Sequence, residues 1–305
     1  MRRRMPRLAV TSTALAAVVL LVGGCEAQVR GEPAPPQSSA TAPPASLPAA
    51  PQSPPSPTSA PFDGLEARIR QATADAAQSG ARIQAVVMDR RTGQIVSNGA
   101  TAPFPIASVV KLFIADDLLL RVSKGETTLS PADRASLDLM LRSSDDSAAQ
   151  MFWDRSGGTD IIARVKARYG LPGTTAPWNG RWDVTTSTAS DLVRYYNMLL
   201  DGSGGLPRAQ ANIIMSDLAA STPTGTDGYP QRFGIPDGLY DEQVAVKQGW
   251  FCCWDGANQL HVSTGAIGPE RRYVMALSSL EPDDEAAARE TMTQAVKTMF
   301  PNGRI

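Results

Sequence analysis

The chain has 305 residues, 42% of them hydrophobic and 19% charged, with 25 glycines and 24 prolines, a composition that excludes a fibre, a wholly disordered chain and a multi-span membrane protein. Its formal charge is −1, and removing an N-terminal leader that carries Arg2, Arg3, Arg4 and Arg7 leaves 25 basic against 30 acidic residues. That balance leaves no electrostatic footprint for nucleic acid.

Met1 to Arg7 is basic, and Leu8 to Val22 is an uncharged run too short for a comfortable bilayer span but of the length of a signal-peptide core. The expected leader is residues 1–24. Its end, Leu21, Val22, Gly23, Gly24 and Cys25, resembles the bacterial lipobox, which implies a lipidated Cys25 as the first residue of the mature chain. The plainer alternative is an ordinary signal peptide with an incidental cysteine. Residues 26–61 hold eleven prolines among Ala, Ser, Thr and Gln. Such a segment has too little apolar surface to offset the entropy of ordering, so 25–61 is expected to be a tether. In polyproline II, at about 3.1 Å per residue, it would reach roughly 110 Å at most. A domain held off the outer face of the cell membrane by a lipid anchor is the expected layout.

Residues 62–305 have the length of a single domain with a sizeable core. Leu65, Ile69, Ala72 and Ala76 recur at helical spacing and predict a helix over 63–78. A strand pair is expected next, 83–89 and 94–98, turning at Arg91, Thr92 and Gly93. The pattern from Ser108 to about Leu200 is mostly helical. Strands follow at 244–247, 259–267 and 273–279, and a helix over 283–299 closes the chain. Strands at both ends with helices between them predict an α+β fold: an antiparallel β-sheet flanked by helices, beside a helical subdomain.

Five lysines against twenty-four arginines make each lysine informative, because an amine can be neutralised by burial and act as a base where a guanidinium cannot. Lys111 lies in an otherwise uncharged stretch, 106–115, and Ser108 precedes it by three residues. On a helix these positions share a face, so the amine can take the serine's proton and activate its oxygen. Ser108 also follows Pro103 and Pro105, where a helix would begin with free backbone N–H groups. The alternative is an N-cap serine beside a snorkelling lysine.

Phe104 to Lys111, preceded by the Arg91–Gly93 hairpin, resembles the active-site entry of the serine β-lactamases and penicillin-binding D,D-peptidases. The family's second motif, Ser-Asp-Asn, is similar to Ser144-Asp145-Asp146, and its third, Lys-Thr-Gly, to Lys247-Gln248-Gly249, in the same order. The resemblance spans 62–305. It implies an acylated nucleophile at Ser108, its base at Lys111, a proton shuttle at Ser144, an electrostatic anchor at Lys247, and substrate contacts at Asp146, Gln248, Gly249 and Trp250. It further implies that the backbone N–H groups of Ser108 and Trp250 form an oxyanion hole, and that Asp183 closes an Ω-loop. A small-molecule or peptidoglycan-derived substrate, no cofactor and a monomer are what the family leads one to expect.

Three departures matter. Asp146 stands where the family has an asparagine amide, and is expected to raise the pKa of Lys111. Gln248 replaces a threonine that helps hold the substrate carboxylate. No glutamate lies between Leu171 and Trp182, so the base that activates deacylating water in class A β-lactamases is missing and an acyl-enzyme should persist. These losses also motivate a different expectation: an inactive domain of the same fold that binds wall fragments or a protein partner.

His261 is the one histidine of the chain and reads as structural. Adjacent Cys252 and Cys253 can form a vicinal disulfide after export or remain two buried thiols, and with one distant histidine they lack the spacing of a metal site. Trp178, Trp182, Trp250, Phe251 and Trp254 line a cleft or pack the core.

Overall fold

A computed structural model describes residues 62–305; the leader, Cys25 and the proline-rich segment lie outside the described residues. Helix α1 (Leu65–Gln78) buries the four residues at helical spacing and leads into β1 (Arg82–Asp89) and β2 (Ile95–Ser97). After the two-residue strand β3 (Phe104–Pro105), a 3-10 turn at Ala107–Val110 opens directly into α2 (Lys111–Ser123). Helix α3 (Pro131–Arg142) starts from a capping box: Ser130 accepts from the Asp133 N–H, and the Asp133 carboxylate accepts from the Ser130 N–H. Helix α4 (Asp146–Arg155) is capped by Asp145, whose carboxylate accepts from the Ala148 N–H at 2.7 Å. Helix α5 (Asp160–Tyr169) ends at a left-handed Gly170. A short turn at Trp182–Val184 and β4 (Thr186–Ser187), which pairs with β3, precede α6 (Ala189–Asp201), α7 (Arg208–Ala219) and the single turn α8 (Ile235–Gly238). The chain closes with β5 (Val244–Trp254), β6 (Asn258–Ile267), β7 (Tyr273–Glu281) and α9 (Glu285–Met299).

The main sheet has five antiparallel strands in the order β2-β1-β7-β6-β5, so the first and last strands of the domain meet at its centre. This is the α+β architecture expected from strands at both ends of the chain. Strand alternation splits the core in two. Ile83, Ala85, Val87, Val246, Met275 and Leu277 face one way and pack with α1 and α9; Val86, Ala245, Val274 and Ala276 face the other and join the core of the helices between β2 and β5.

The largest boundary difference from the sequence-based expectation lies in β5. Strand β5 does not stop at Lys247 but pairs with β6 from Val244↔Ile267 to Trp254↔Asn258, with a register shift between Cys252 and Trp254. Gly249 and the cysteine pair break the apolar alternation, but the regular partner β6 supplies the main-chain ladder that holds them extended.

Candidate active site

Three separate segments bring their polar side chains to one point. Ser108 lies in the 3-10 turn just before α2, behind Ala107, which is held at a φ of 47°. That is a costly left-handed conformation for a residue with a β-carbon, of the kind kept where the surroundings over-determine it. Lys111 begins α2 and is fully buried. Ser144, also left-handed at a φ of 56°, forms the joint between α3 and the Asp145 cap of α4. Lys247 projects from the middle of β5 and is buried as well.

The Lys111 amine lies 2.8 Å from Ser108 Oγ, 2.7 Å from the Ser144 carbonyl, 3.1 Å from Ser144 Oγ and 2.5 Å from Asp146 Oδ1. Lys247 Nζ reaches the same Ser144 Oγ at 2.8 Å, so one hydroxyl bridges two amines. Four oxygens surround Lys111 while an ammonium has three protons to give, and the neutral amine can instead accept the Ser108 hydroxyl proton. Burial pushes the pKa of Lys111 down, and the Asp146 carboxylate pulls it partly back up. The net direction is therefore opposite to the one expected from Asp146 alone: its carboxylate is 69% exposed and shielded by water, whereas the amine it faces is wholly desolvated. Lys247 is held well below its ordinary value, first by burial and then by the nearby charge of Lys111. Two buried amines sharing one hydroxyl oppose each other's protonation.

Gly249 explains how strand and turn approach so closely. A β-carbon there would lie 2.6 Å from the Ile106 carbonyl oxygen and 3.3 Å from the Ser108 nitrogen, so the β5 backbone runs directly against the turn that carries Ser108.

A cleft of about 510 Å³ opens over Ser108. Asp146, Trp182, Trp250, Phe251 and Cys252 line it. Trp182 places its ring 4.8 Å from the Lys111 amine and donates from Nε1 to Gln150 Oε1 at 3.2 Å. Trp178 is exposed to solvent outside it. Asp183, at the end of the expected Ω-loop, lines the cleft and pairs with Arg181 two residues before it.

Gln248, expected as a substrate contact, is not among the residues that line the cleft. On β5 it shares a face with Trp250 and Cys252, which line the cleft, but it lies earlier on the strand, against the segment that carries Gln231 and Phe233. There it is buried, and its amide donates to the Gln231 carbonyl at 3.1 Å and the Phe233 carbonyl at 2.6 Å. Cys252 and Cys253 are joined to each other, and both are exposed rather than buried. His261 is buried, with Nε2 2.6 Å from the Tyr229 hydroxyl, and lies outside the cleft lining. Burial, aided by Arg289, lowers its pKa to about 3. Among the described residues no group of three or more His, Cys, Asp or Glu side chains is placed to hold a metal ion.

Sequence reasoning missed Asp227, Tyr229 and Glu285, which form another wall of the cleft. The Asp227-Gly228 dipeptide signals a turn and nothing more, and Glu285 belongs to the last helix; no local pattern ties either to Ser108.

The model of the β-lactamase enzyme family matches residues 64–132 and 133–300. The chain belongs to that family. Its similarity runs the whole length of a curated relative: "Putative lipoprotein LppW" of Mycobacterium tuberculosis is 56% identical over 306 residues, covering 96% of this chain and 97% of the relative, and its counterpart in Mycobacterium bovis matches equally. Among solved structures, a β-lactamase from Chitinophaga pinensis superposes with a TM-score of 0.63 at 16% identity, over 77% of this chain and 98% of the other. A class A representative from Bacteroides cellulosilyticus gives 0.64 at 15% identity, over 78% and 97%. This β-lactamase-family domain therefore shares the class A fold with proteins whose sequences have diverged far from it.

Proposed function

We propose that this chain is an exported, lipid-anchored serine acyl-enzyme that acylates readily and hydrolyses β-lactams slowly or not at all. The observation that carries the reading is the 2.8 Å contact between Ser108 Oγ and a buried Lys111 amine whose pKa is lowered. Neutral Lys111 takes the Ser108 proton as Oγ attacks a carbonyl carbon, and the resulting oxyanion is met by the backbone N–H groups of Ser108 and Trp250. Collapse of that intermediate breaks the bond to the leaving nitrogen or oxygen, which receives the proton from Lys111 through the Ser144 hydroxyl, while Lys247 holds Ser144. Water must then cleave the ester, and the stretch from Leu171 to Trp182 supplies no carboxylate to activate it.

The leader at 1–24, the lipidated Cys25 and the tether to residue 61 belong to the same proposal, supported by the lipoprotein name of the 56%-identical relative. Metabolic labelling with a palmitate analogue, abolished by Cys25→Ser, is the expected result.

Intact-mass measurement after exposure to a fluorescent penicillin and to a fluorophosphonate tests the chemistry. A single adduct on Ser108, lost in Ser108→Ala, is expected. No adduct with either probe, while a catalytically active family member labels in parallel, overturns the reading.

The 2.5 Å pairing of Asp146 with Lys111 favours a second reading, in which the carboxylate keeps the amine protonated and the cleft only binds. Ligand binding that survives Ser108→Ala, without any adduct on the wild-type protein, is its signature.

A further inference from the structure

Four carboxylates and one guanidinium line the cleft over Ser108: Asp146, Asp183, Asp227 and Glu285 against Arg181. Arg181 is spent on Asp183, and Asp146 on Lys111. Asp227 and Glu285 remain. Both are exposed, and among the described residues neither has a cation within ion-pair distance. Asp227 accepts the Tyr229 N–H at 2.9 Å, which fixes its turn; the buried Lys111 and Lys247 amines feel its charge without forming an ion pair with it. Arg289, one turn along α9 from Glu285, lies instead over the Tyr229 ring at 4.9 Å. The two lysines lie buried behind the site, so a ligand entering the cleft meets the exposed carboxylates before it meets either amine.

The same wall carries an aromatic face. Trp250 and Tyr229 stack at 4.7 Å between ring centroids, nearly parallel at 9°, and both border the cleft. Asp227 is held beside the indole: a β-carbon on Gly225 would lie 2.6 Å from Asp227 Oδ1 and 3.4 Å from Trp250 Cζ2. An exposed carboxylate outside any ion pair, beside an indole face, is a surface that attracts a protonated amine, through charge and through the negative face of the ring. It repels a carboxylate. Gln248, which replaces the family residue that helps hold a substrate carboxylate, is turned into the core and offers no counterweight.

We infer that the cleft selects an acyl donor bearing a protonated amine, held by Asp227 and Glu285 against Trp250, and disfavours donors bearing a carboxylate. The inference deepens the acyl-enzyme reading and, for its kinetic form, rests on it.

Three p-nitrophenyl esters test it: the 6-aminohexanoate, the hexanoate and the glutarate, which place a positive, no, or a negative charge near the end of a similar acyl chain. An exposed carboxylate changes the rate by about threefold, so two predict a kcat/KM about tenfold higher for the aminohexanoate than for the hexanoate at low salt, with the glutarate lowest. That ratio is expected to fall toward one in Asp227→Asn/Glu285→Gln and at high salt, where exposed charges are screened. A wild-type ratio at or below one, with Ser108 still acylated, overturns the inference and leaves the acyl-enzyme reading standing. If none of the esters reacts, titration of Ser108→Ala with 6-aminohexanamide against hexanamide, read by tryptophan fluorescence, decides the charge preference, and the acyl-enzyme reading is judged by its own two probes. Tighter binding of the amine then supports a cation-selecting cleft; equal or weaker binding removes it.

Discussion

Helix α2 buries charge in two places about 7.5 Å apart along its axis, and the two are built in opposite ways. At Asp116 and Asp117 every carboxylate oxygen is matched. Asp117 holds Arg164 with two bonds, 2.7 Å to Nε and 2.8 Å to Nη2, while Asp116 is met by Arg168 and by the Tyr169 hydroxyl, with the Tyr195 hydroxyl at 3.4 Å. At Lys111 the one carboxylate partner is mostly in water and the remaining neighbours are hydroxyls and a carbonyl. The first arrangement meets each carboxylate with a guanidinium, which opposes the upward push of burial on the Asp116 pKa, and ties α2 to α5. The second leaves an amine free to change its charge, which a structural ion pair must avoid and a base requires.

The largest effect that tests this contrast is on stability. Asp116→Ala strands the partly buried Arg168 and the Tyr169 hydroxyl, and is expected to cost about 3–5 kcal/mol in urea unfolding. A loss below about 1 kcal/mol would mean the pair contributes no more than a surface bridge.

Lys111→Met is expected to behave oppositely. Its carboxylate partner is already solvated, so an apolar side chain of similar length removes a desolvation cost and leaves only the Ser144 carbonyl and the Ser108 hydroxyl without the amine. Stability within about 1 kcal/mol of wild type, or up to a few kcal/mol above it, is predicted by the same unfolding measurement, together with loss of the Ser108 adduct. A loss comparable to that of Asp116→Ala would erase the distinction between the two clusters.

The smallest effect concerns pH. Burial lowers the Lys111 pKa while Asp146, and after it Asp145 and Asp227, raise it, so Asp146→Asn removes the largest raising influence. With the neutral amine as the proposed base, the acylation rate rises as pH climbs through this pKa, and the variant's acid limb should move to lower pH. Stopped-flow acylation across pH reads the shift; an unmoved profile would uncouple Asp146 from Lys111.

Much of this arrangement is legible in the sequence. The helical spacing of Leu65, Ile69, Ala72 and Ala76, the strand alternation at both ends of the chain, and the Ser108/Lys111 spacing each depend on residues a few positions apart. Gln248 is less legible: its motif position points to the cleft and alternation puts it on the face of Trp250, whereas its burial against the Gln231 and Phe233 carbonyls depends on a segment distant in sequence. The sign of the Lys111 shift is not legible, because it compares a carboxylate visible in the sequence with a burial that is not. Asp227 and Glu285 are invisible for a related reason, being a turn residue and a first-turn helix residue whose only link to Ser108 is the cleft between them.

By itself the sequence determined what short-range covalent geometry controls: which segments wind or extend, and that Ser108 and Lys111 share one turn. Tertiary structure decided everything that joins distant segments. Ser144 lies 33 residues from Lys111 and 103 from Lys247, and no local preference holds those three together. Their meeting, the dryness that lowers both amines, and the acidic wall opposite Ser108 exist only once the sheet and the helices have packed, because desolvation and long-range charge are properties of an enclosed space rather than of a stretch of chain.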